Sequence, residues 1–191
     1  MPDQKQLDLE KFTAEKIVQL CGELVIFTGH GDATKREPDT LFSGQQLLGI
    51  EVTTAYYHGD EDDPNLHARG LEIRPNPKFD EHGVRRLIDP KTGKPKIWDR
   101  MDERLTTSCQ RALNEKCSKR YAGVDHLWLG IYADAPVTES HEFDSIVKQL
   151  AIPNINPFQR IFILHVTAER WDGYRALEIF PHLRGFLSDR T

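Results

Sequence analysis

The stretch from Pro38 to Thr53, PDTLFSGQQLLGIEVT, carries two carboxylates whose spacing could do chemistry. Asp39 follows a proline, and Glu51 lies inside the apolar run LLGIEV. Strand side chains alternate, so Glu51 and Thr53 share one face. A hairpin turn at Ser43-Gly44 would lay Asp39 and Glu51 on neighbouring strands with their carboxylates close. Two such groups repel unless a cation or a proton is shared between them, and the pairing points to a metal site. The plainer alternative is a turn aspartate beside a strand-edge salt bridge. Against it stands the cost of burying a glutamate inside LLGIEV without a partner.

Elements on both sides must hold this stretch in place. Leu7, Ala14, Ile17, Val18 and Cys21 recur at helical spacing, and Gly22 supplies a stop, which predicts a helix over about 7–21. Glu10 falls on the same face as Ala14 and Ile17. Two readings stand for it: an acid that favours the helix dipole near the N-terminus, or a member of the site. Leu24 to Thr28 (LVIFT) predicts a strand, followed by the polar loop GHGDATKREPD with the pair Lys35-Arg36. Strands over about 39–42 and 47–54 follow, the second too apolar to be half exposed and so expected at the centre of its sheet.

From Tyr56 to Trp98 no periodicity persists. Leu71 to Arg74 and Val84 to Ile88 are candidates for small strands or a turn of helix, and DPKTGKP reads as a hairpin tip. A long excursion of this kind inside a compact domain is usually functional or disordered. Met101 to Tyr121 predicts a second helix, with Met101, Leu105, Cys109, Ala112, Leu113 and Cys117 as its apolar stripe and Gly123 after its end. Lys116 lies on or beside that stripe and Lys119 nearer its edge. A lysine there either snorkels, stem on apolar surface and ammonium in water, or reaches the site. His126 to Tyr132 predicts a buried strand and Ser140 to Leu150 a helix capped by Ser140 with Glu142 in its first turn. Strands over 161–166 and 175–180 flank the turn signal Trp171-Asp172-Gly173. The whole reads as an α/β chain with a mixed sheet.

Composition narrows the function classes. At 191 residues, 38% hydrophobic and 29% charged, the chain is expected to be one domain with its own core. No apolar run approaches the roughly 18 residues of a membrane span, and the N-terminus lacks the apolar centre of a signal peptide. Cys21, Cys109 and Cys117 are odd in number and lack metal-type spacing, so reduced core thiols and a cytoplasmic location are expected. A net charge of −5 argues against a protein that coats nucleic acid, but not against an enzyme that touches it locally. Charge is uneven: Asp60 to Asp63 is acidic, whereas Arg69 to Arg100 holds nine Lys or Arg against five Asp or Glu, an excess of four. Other constellations are poorer. The GHGD fragment (Gly29 to Asp32) has no second His/Asp cluster to support it, and no Gly-x-Ser-x-Gly elbow exists. His165, on IFILHV, reads as a core or rim histidine, and Trp128 and Trp171 as packing residues.

The order helix, strand, strand, strand, helix, strand, with Pro38-Asp39 opening the second strand and Glu51-Val52-Thr53 on the third, resembles the PD-(D/E)XK, or restriction-endonuclease-like, nuclease superfamily. The resemblance covers about 7–133 apart from an excursion over about 56–98, leaving 134–191 as a C-terminal extension with a helix and a β-hairpin. Glu10 is similar to the acid many members carry on the first helix, and the basic loop before Asp39 is similar to loops of resolvase-like members. The resemblance implies Mg²⁺- or Mn²⁺-dependent phosphodiester hydrolysis, with Asp39, Glu51 and the Val52 carbonyl as metal ligands. It further implies a nucleic-acid substrate, DNA rather than RNA, contacted by groups such as Lys35, Arg36 and Lys119, with no membrane partner and with a homodimer left open. One departure stands out. The motif lysine is replaced by Thr53, whose hydroxyl carries no charge. Some members carry the lysine on the following helix, and ALNEKCSKRY is similar to that arrangement, with Lys116 the first substitute and Lys119 the second. The alternative is a nuclease-like fold whose chemistry has lapsed and which binds nucleic acid or protein.

Overall fold

The computed structural model describes residues 4–56, 87–88, 95–96, 101–138, 145–167, 174–181 and 184–188. The chain forms two compact units. One comprises Met1–Tyr57 with Asp102–Thr191, and the other is His58–Met101. Within the second unit, Leu87–Ile88 and Pro95–Lys96 pair antiparallel; residues 89–94, the rest of the expected DPKTGKP tip, lie outside the described residues. The candidate strand or helical turn at Leu71–Arg74 and the acidic run Asp60–Asp63 also lie outside the described residues.

The first unit is a mixed sheet with a helix packed on each face. Its helices are α1 (Gln4–Cys21) and α2 (Met101–Cys117). Its strands are β1 (Ile26–His30), β2 (Thr40–Ser43) and β3 (Leu48–Tyr56), then β6 (His126–Thr138), β7 (Arg160–Thr167), β8 (Tyr174–Phe180) and β9 (Arg184–Ser188); β4 and β5 are the short pair of the other unit. The seven strands lie in the order β1-β2-β3-β6-β7-β8-β9. Only β3–β6 and β6–β7 are parallel; the remaining pairs are antiparallel.

Strand alternation sorts the core onto two faces. Ile50 and Val52 of β3, Trp128 of β6 and Phe162 and Leu164 of β7 pack with Ala14, Ile17 and Val18 of α1. Leu127, Leu129 and Ile131 of β6 and Ile161 and Ile163 of β7 pack with Leu105, Cys109, Leu113 and Cys117 of α2. Each fully buried side chain of this size contributes about 1.5–3 kcal/mol, so both helices are clamped by their apolar stripes. As expected, β3 is central, flanked by β2 and β6.

Several boundaries move. The first strand covers Ile26–His30 rather than Leu24–Thr28, because β1 is an edge strand whose start is set by pairing of Ile26 with Ser43 at the end of β2. Leu24 is left almost fully exposed. Helix α2 ends at Cys117 rather than Tyr121, which puts Lys116 in its last turn. The C-terminal strands join the same sheet: β7 runs parallel to β6, β8 pairs antiparallel with β7 as expected of a hairpin, and β9 follows on β8. Strand β9 was not expected at all. Of the helix expected over 140–150, residues 145–148 are helical; Ser140, Glu142 and the Trp171-Asp172-Gly173 turn lie outside the described residues. Among the described residues no helix is long and apolar enough to cross a membrane.

One glycine matters for placing Asp39. A Cβ at Gly49 of β3 would collide with the Pro38 ring and stand 2.8 Å from Val124 Cγ1. The bare backbone of Gly49 is what lets Pro38 lie over the sheet. Gly49→Ala is therefore expected to destabilise the fold by about 1–3 kcal/mol, as overpacking does, read as a lower denaturation midpoint with an unchanged slope.

Candidate active site

The Pro38 seat delivers Asp39 to the point where β2 begins. Its carboxylate Oδ2 accepts the Val52 N–H at 2.8 Å. In an antiparallel pair a residue's N–H and C=O leave the strand on the same side. Because β2 starts only at Thr40, the edge of β3 beside Val52 is open there, and Asp39 caps it. The Val52 carbonyl therefore leaves β3 on the side of the Asp39 carboxylate. The next residue anchors the arrangement, since buried Thr40 donates its hydroxyl to the Ile50 carbonyl at 2.9 Å.

Glu51 points to the opposite face from Ile50 and Val52, toward α2. There Lys116 Nζ lies 2.6 Å from Glu51 Oε1, with the two side chains only 13% and 6% exposed. The ammonium is thus inside the site and not snorkelling outward. Burial works against its charge, but Glu51, Asp39 and the hydrogen bond to Glu51 outweigh that and hold its pKa above the ordinary lysine value. Tyr121, just past α2, donates its hydroxyl to the Lys116 carbonyl at 3.4 Å. Burial and the nearby Glu51 push its phenol pKa up.

Glu10 approaches from α1. It sits in the second turn, past the first-turn reach of the helix dipole, and is buried. Gln6 Nε2 donates to its Oε1 at 2.8 Å, and its Oε2 is 3.9 Å from His30 Nδ1. Burial raises the Glu10 pKa, only partly offset by Gln6, His30 and Lys116.

Of the residues singled out by sequence, Glu10, Asp39, Glu51, Val52 and Lys116 therefore meet, and Thr53 lies half-buried on β3 opposite Ile131 of β6. Lys119 sits on the surface, paired with Glu115 at 3.0 Å. Lys35 is exposed and 3.5 Å from Asp32. Arg36 holds a left-handed backbone conformation, φ 61°, and its carbonyl accepts the Ala122 N–H at 2.9 Å. His165 is a fully buried core residue, and its pKa is lowered to about 4 by burial and by Arg175. His30 and Tyr121 were missed as site residues. The GHGD fragment was the available signal for His30, but without the register of β1 nothing connected it to Asp39.

The electrostatics are unbalanced toward negative charge. Three carboxylates, Glu10, Asp39 and Glu51, influence one another around a single ammonium. The consequence shows at Asp39. Burial first, then the Glu51 charge, raise its pKa to about 7, although Lys116 and the Val52 N–H pull the other way. Burial and the Glu51 charge thus disfavour ionised Asp39, a form that a hard cation with oxygen ligands would favour. Asp39, Glu51 and the Val52 carbonyl are the groups that could hold one. Among the described residues no three His, Cys, Asp or Glu side chains form a metal cage.

The sign of the pH dependence follows. An acid whose pKa is higher folded than unfolded keeps a proton the unfolded chain has lost, so stability falls as pH rises through that interval. For Asp39 the interval runs from the ordinary 3.8 to about 7. Asp39→Asn is expected to raise stability at pH 8 by the order of 1–3 kcal/mol, since one pKa unit is about 1.4 kcal/mol, and to flatten the fall between those pH values. Thermal melts of both proteins across that range check it.

Set against protein-family models, curated proteins and solved structures, the chain finds no match in any of the three, so the site is read from its own residues.

Proposed function

We propose that this chain is a Mg²⁺- or Mn²⁺-dependent nuclease of the restriction-endonuclease-like kind, hydrolysing phosphodiester bonds of nucleic acid, with DNA as the favoured substrate and an endonucleolytic mode. The observation that carries the proposal is the contact of Lys116 Nζ with Glu51 Oε1 at 2.6 Å in a buried site. It supplies, from α2, the charge that Thr53 lacks. The element order α1, β1, β2, β3, α2, β6, with β2 antiparallel and β6 parallel to β3, agrees with the core expected for such an enzyme.

In this reading a bound Mg²⁺ would contribute Lewis-acid chemistry, neutralising charge on the scissile phosphate and lowering the pKa of a water. The chain's own residues do the rest. Asp39, fixed by the Val52 N–H, and Glu51, fixed by Lys116, present ligand oxygens from two strands. Lys116 places a permanent positive charge where negative charge develops on the phosphate, and its low exposure keeps that charge poorly screened. Water oxygen bonds to phosphorus and gives up one proton to solvent, the P–O ester bond breaks, and the departing oxygen takes a proton from solvent. The net positive segment Arg69 to Arg100, with Lys35, Arg36 and Lys119, supplies groups for phosphate contacts, which would weaken steeply with salt.

Cleavage of DNA with Mg²⁺ or Mn²⁺ is expected, with Asp39→Ala and Glu51→Ala each abolishing it. Lys116→Ala should reduce the rate by about 10²–10³-fold, the scale of removing one preorganised charge-stabilising group. Adding Thr53→Lys to Lys116→Ala should recover part of the loss, with circular dichroism confirming the fold. Unchanged cleavage in the two carboxylate variants sinks the proposal.

A second reading, a lapsed nuclease fold that binds nucleic acid or protein, draws on the same ion pair, because Lys116 satisfies Glu51 without any metal. Calorimetry separates the two. Binding of Mn²⁺ that disappears in Asp39→Asn supports the enzyme, and absence of heat in the wild type supports the lapsed module.

A further inference from the structure

His30 approaches the backbone of Asp39 and the carboxylate of Glu10 with one atom. Its Nδ1 is 3.2 Å from the Asp39 carbonyl oxygen and 3.9 Å from Glu10 Oε2. A carbonyl oxygen only accepts, so Nδ1 must carry the proton. The same carbonyl also accepts the Gly31 N–H at 3.2 Å. The ring itself is held edge-to-face against Phe27, centroids 5.4 Å apart, and Phe27 packs likewise on Phe42 of β2 at 5.6 Å. The imidazole is therefore fixed on one side by an aromatic ladder and spends its N–H on the backbone of Asp39.

The effect reaches the carboxylate. Asp39 lies one residue before β2, beyond the last strand pairing of His30 with Thr40, so regular sheet hydrogen bonds do not hold its peptide. The two bonds from residues 30 and 31 take over that task. With the peptide pinned, the short aspartate side chain has few ways to swing and stays on the Val52 N–H.

We propose that His30 is a positioning residue for the site: it locks the Asp39 peptide so that the carboxylate caps Val52. The inference rests on the metal-site reading for its consequence, though not for its geometry. Groups that orient a ligand typically change metal affinity by 10–100-fold when removed.

The test compares wild type, His30→Ala and His30→Asn, since an asparagine amide can return a donor near the position of Nδ1. In metal-free protein, hydrogen exchange of the Val52 amide should accelerate at least about tenfold in His30→Ala, relative to β6 and β7 amides, and return toward wild type in His30→Asn. In the second arm, Mn²⁺ titration should show affinity lowered by about 10–100-fold in His30→Ala and mostly restored in His30→Asn. Unchanged Val52 exchange in His30→Ala overturns the inference, as does failure of a folded His30→Asn to restore it. Absence of Mn²⁺ binding in the wild type counts against the metal-site reading alone, because the exchange arm decides the role of His30 without metal.

Discussion

Glu51 is a carboxylate in the middle of a hydrophobic strand, 5% exposed, and the structure answers it with a lysine from a helix on the far side of the insertion. That buried pair is the constraint on which the site depends. Removing either partner would leave an uncompensated charge in the interior, a loss of about 3–5 kcal/mol in comparable cases. A pair of apolar residues would fill the same space at no such risk, so stability alone gives little reason to keep it. The excess of acid around it sharpens the point. Lys116 bonds one carboxylate, while burial raises the pKa of both Asp39 and Glu10 in spite of its charge. A fold that tolerates this imbalance carries it as a cost that a bound cation would offset.

The sheet supplies the precision. On β3, alternation sends Ile50 and Val52 into the core with α1 and sends Glu51 toward α2. Glu51 lies on β3 and Asp39 directly precedes the antiparallel β2, and the absence of a side chain at Gly49 allows Pro38 to lie close enough for Asp39 to reach the Val52 amide. The carbonyl of Arg36 meanwhile ties the loop before Asp39 to Ala122, just beyond α2. The segments that bring Asp39 and Lys116 are thus stitched together directly as well as through Glu51.

Much of this was legible because it depends on local periodicity. A two-residue period assigned the face of Glu51, and a helical period put Lys116 beside the stripe of Ala112 and Leu113. Helix α1 revealed its buried face the same way, Glu10 included. What stayed hidden depends on register between distant segments. Hydrophobicity placed β1 at LVIFT, but an edge strand starts where its neighbour ends, so Leu24 stays outside and His30 becomes a sheet residue opposite Thr40. That two-residue shift separates a loop histidine from one bonded to Asp39. Strand β9 was missed for a related reason: RGFLS is short and weakly alternating, and it is recruited by the edge of β8. Tyr121 joins the site only because α2 stops at Cys117, earlier than its polar continuation suggested.

Carrying the positive charge on α2 instead of at position 53 changes what controls it. A lysine two residues after Glu51 on β3 would inherit its place from strand geometry, which the sheet fixes rigidly. Lys116 inherits its place from how α2 docks on the sheet through Leu105, Cys109, Leu113 and Cys117. A hydrogen bond of 2.6 Å does not survive an ångström of helix displacement. The geometry of the charge is therefore coupled to the packing of a whole helix face, and the Lys116–Glu51 bond in turn pins the last turn of that helix to the centre of the sheet. Core and site are one mechanical unit here, with the helix face and a pair separated by 65 positions in sequence held by the same packing.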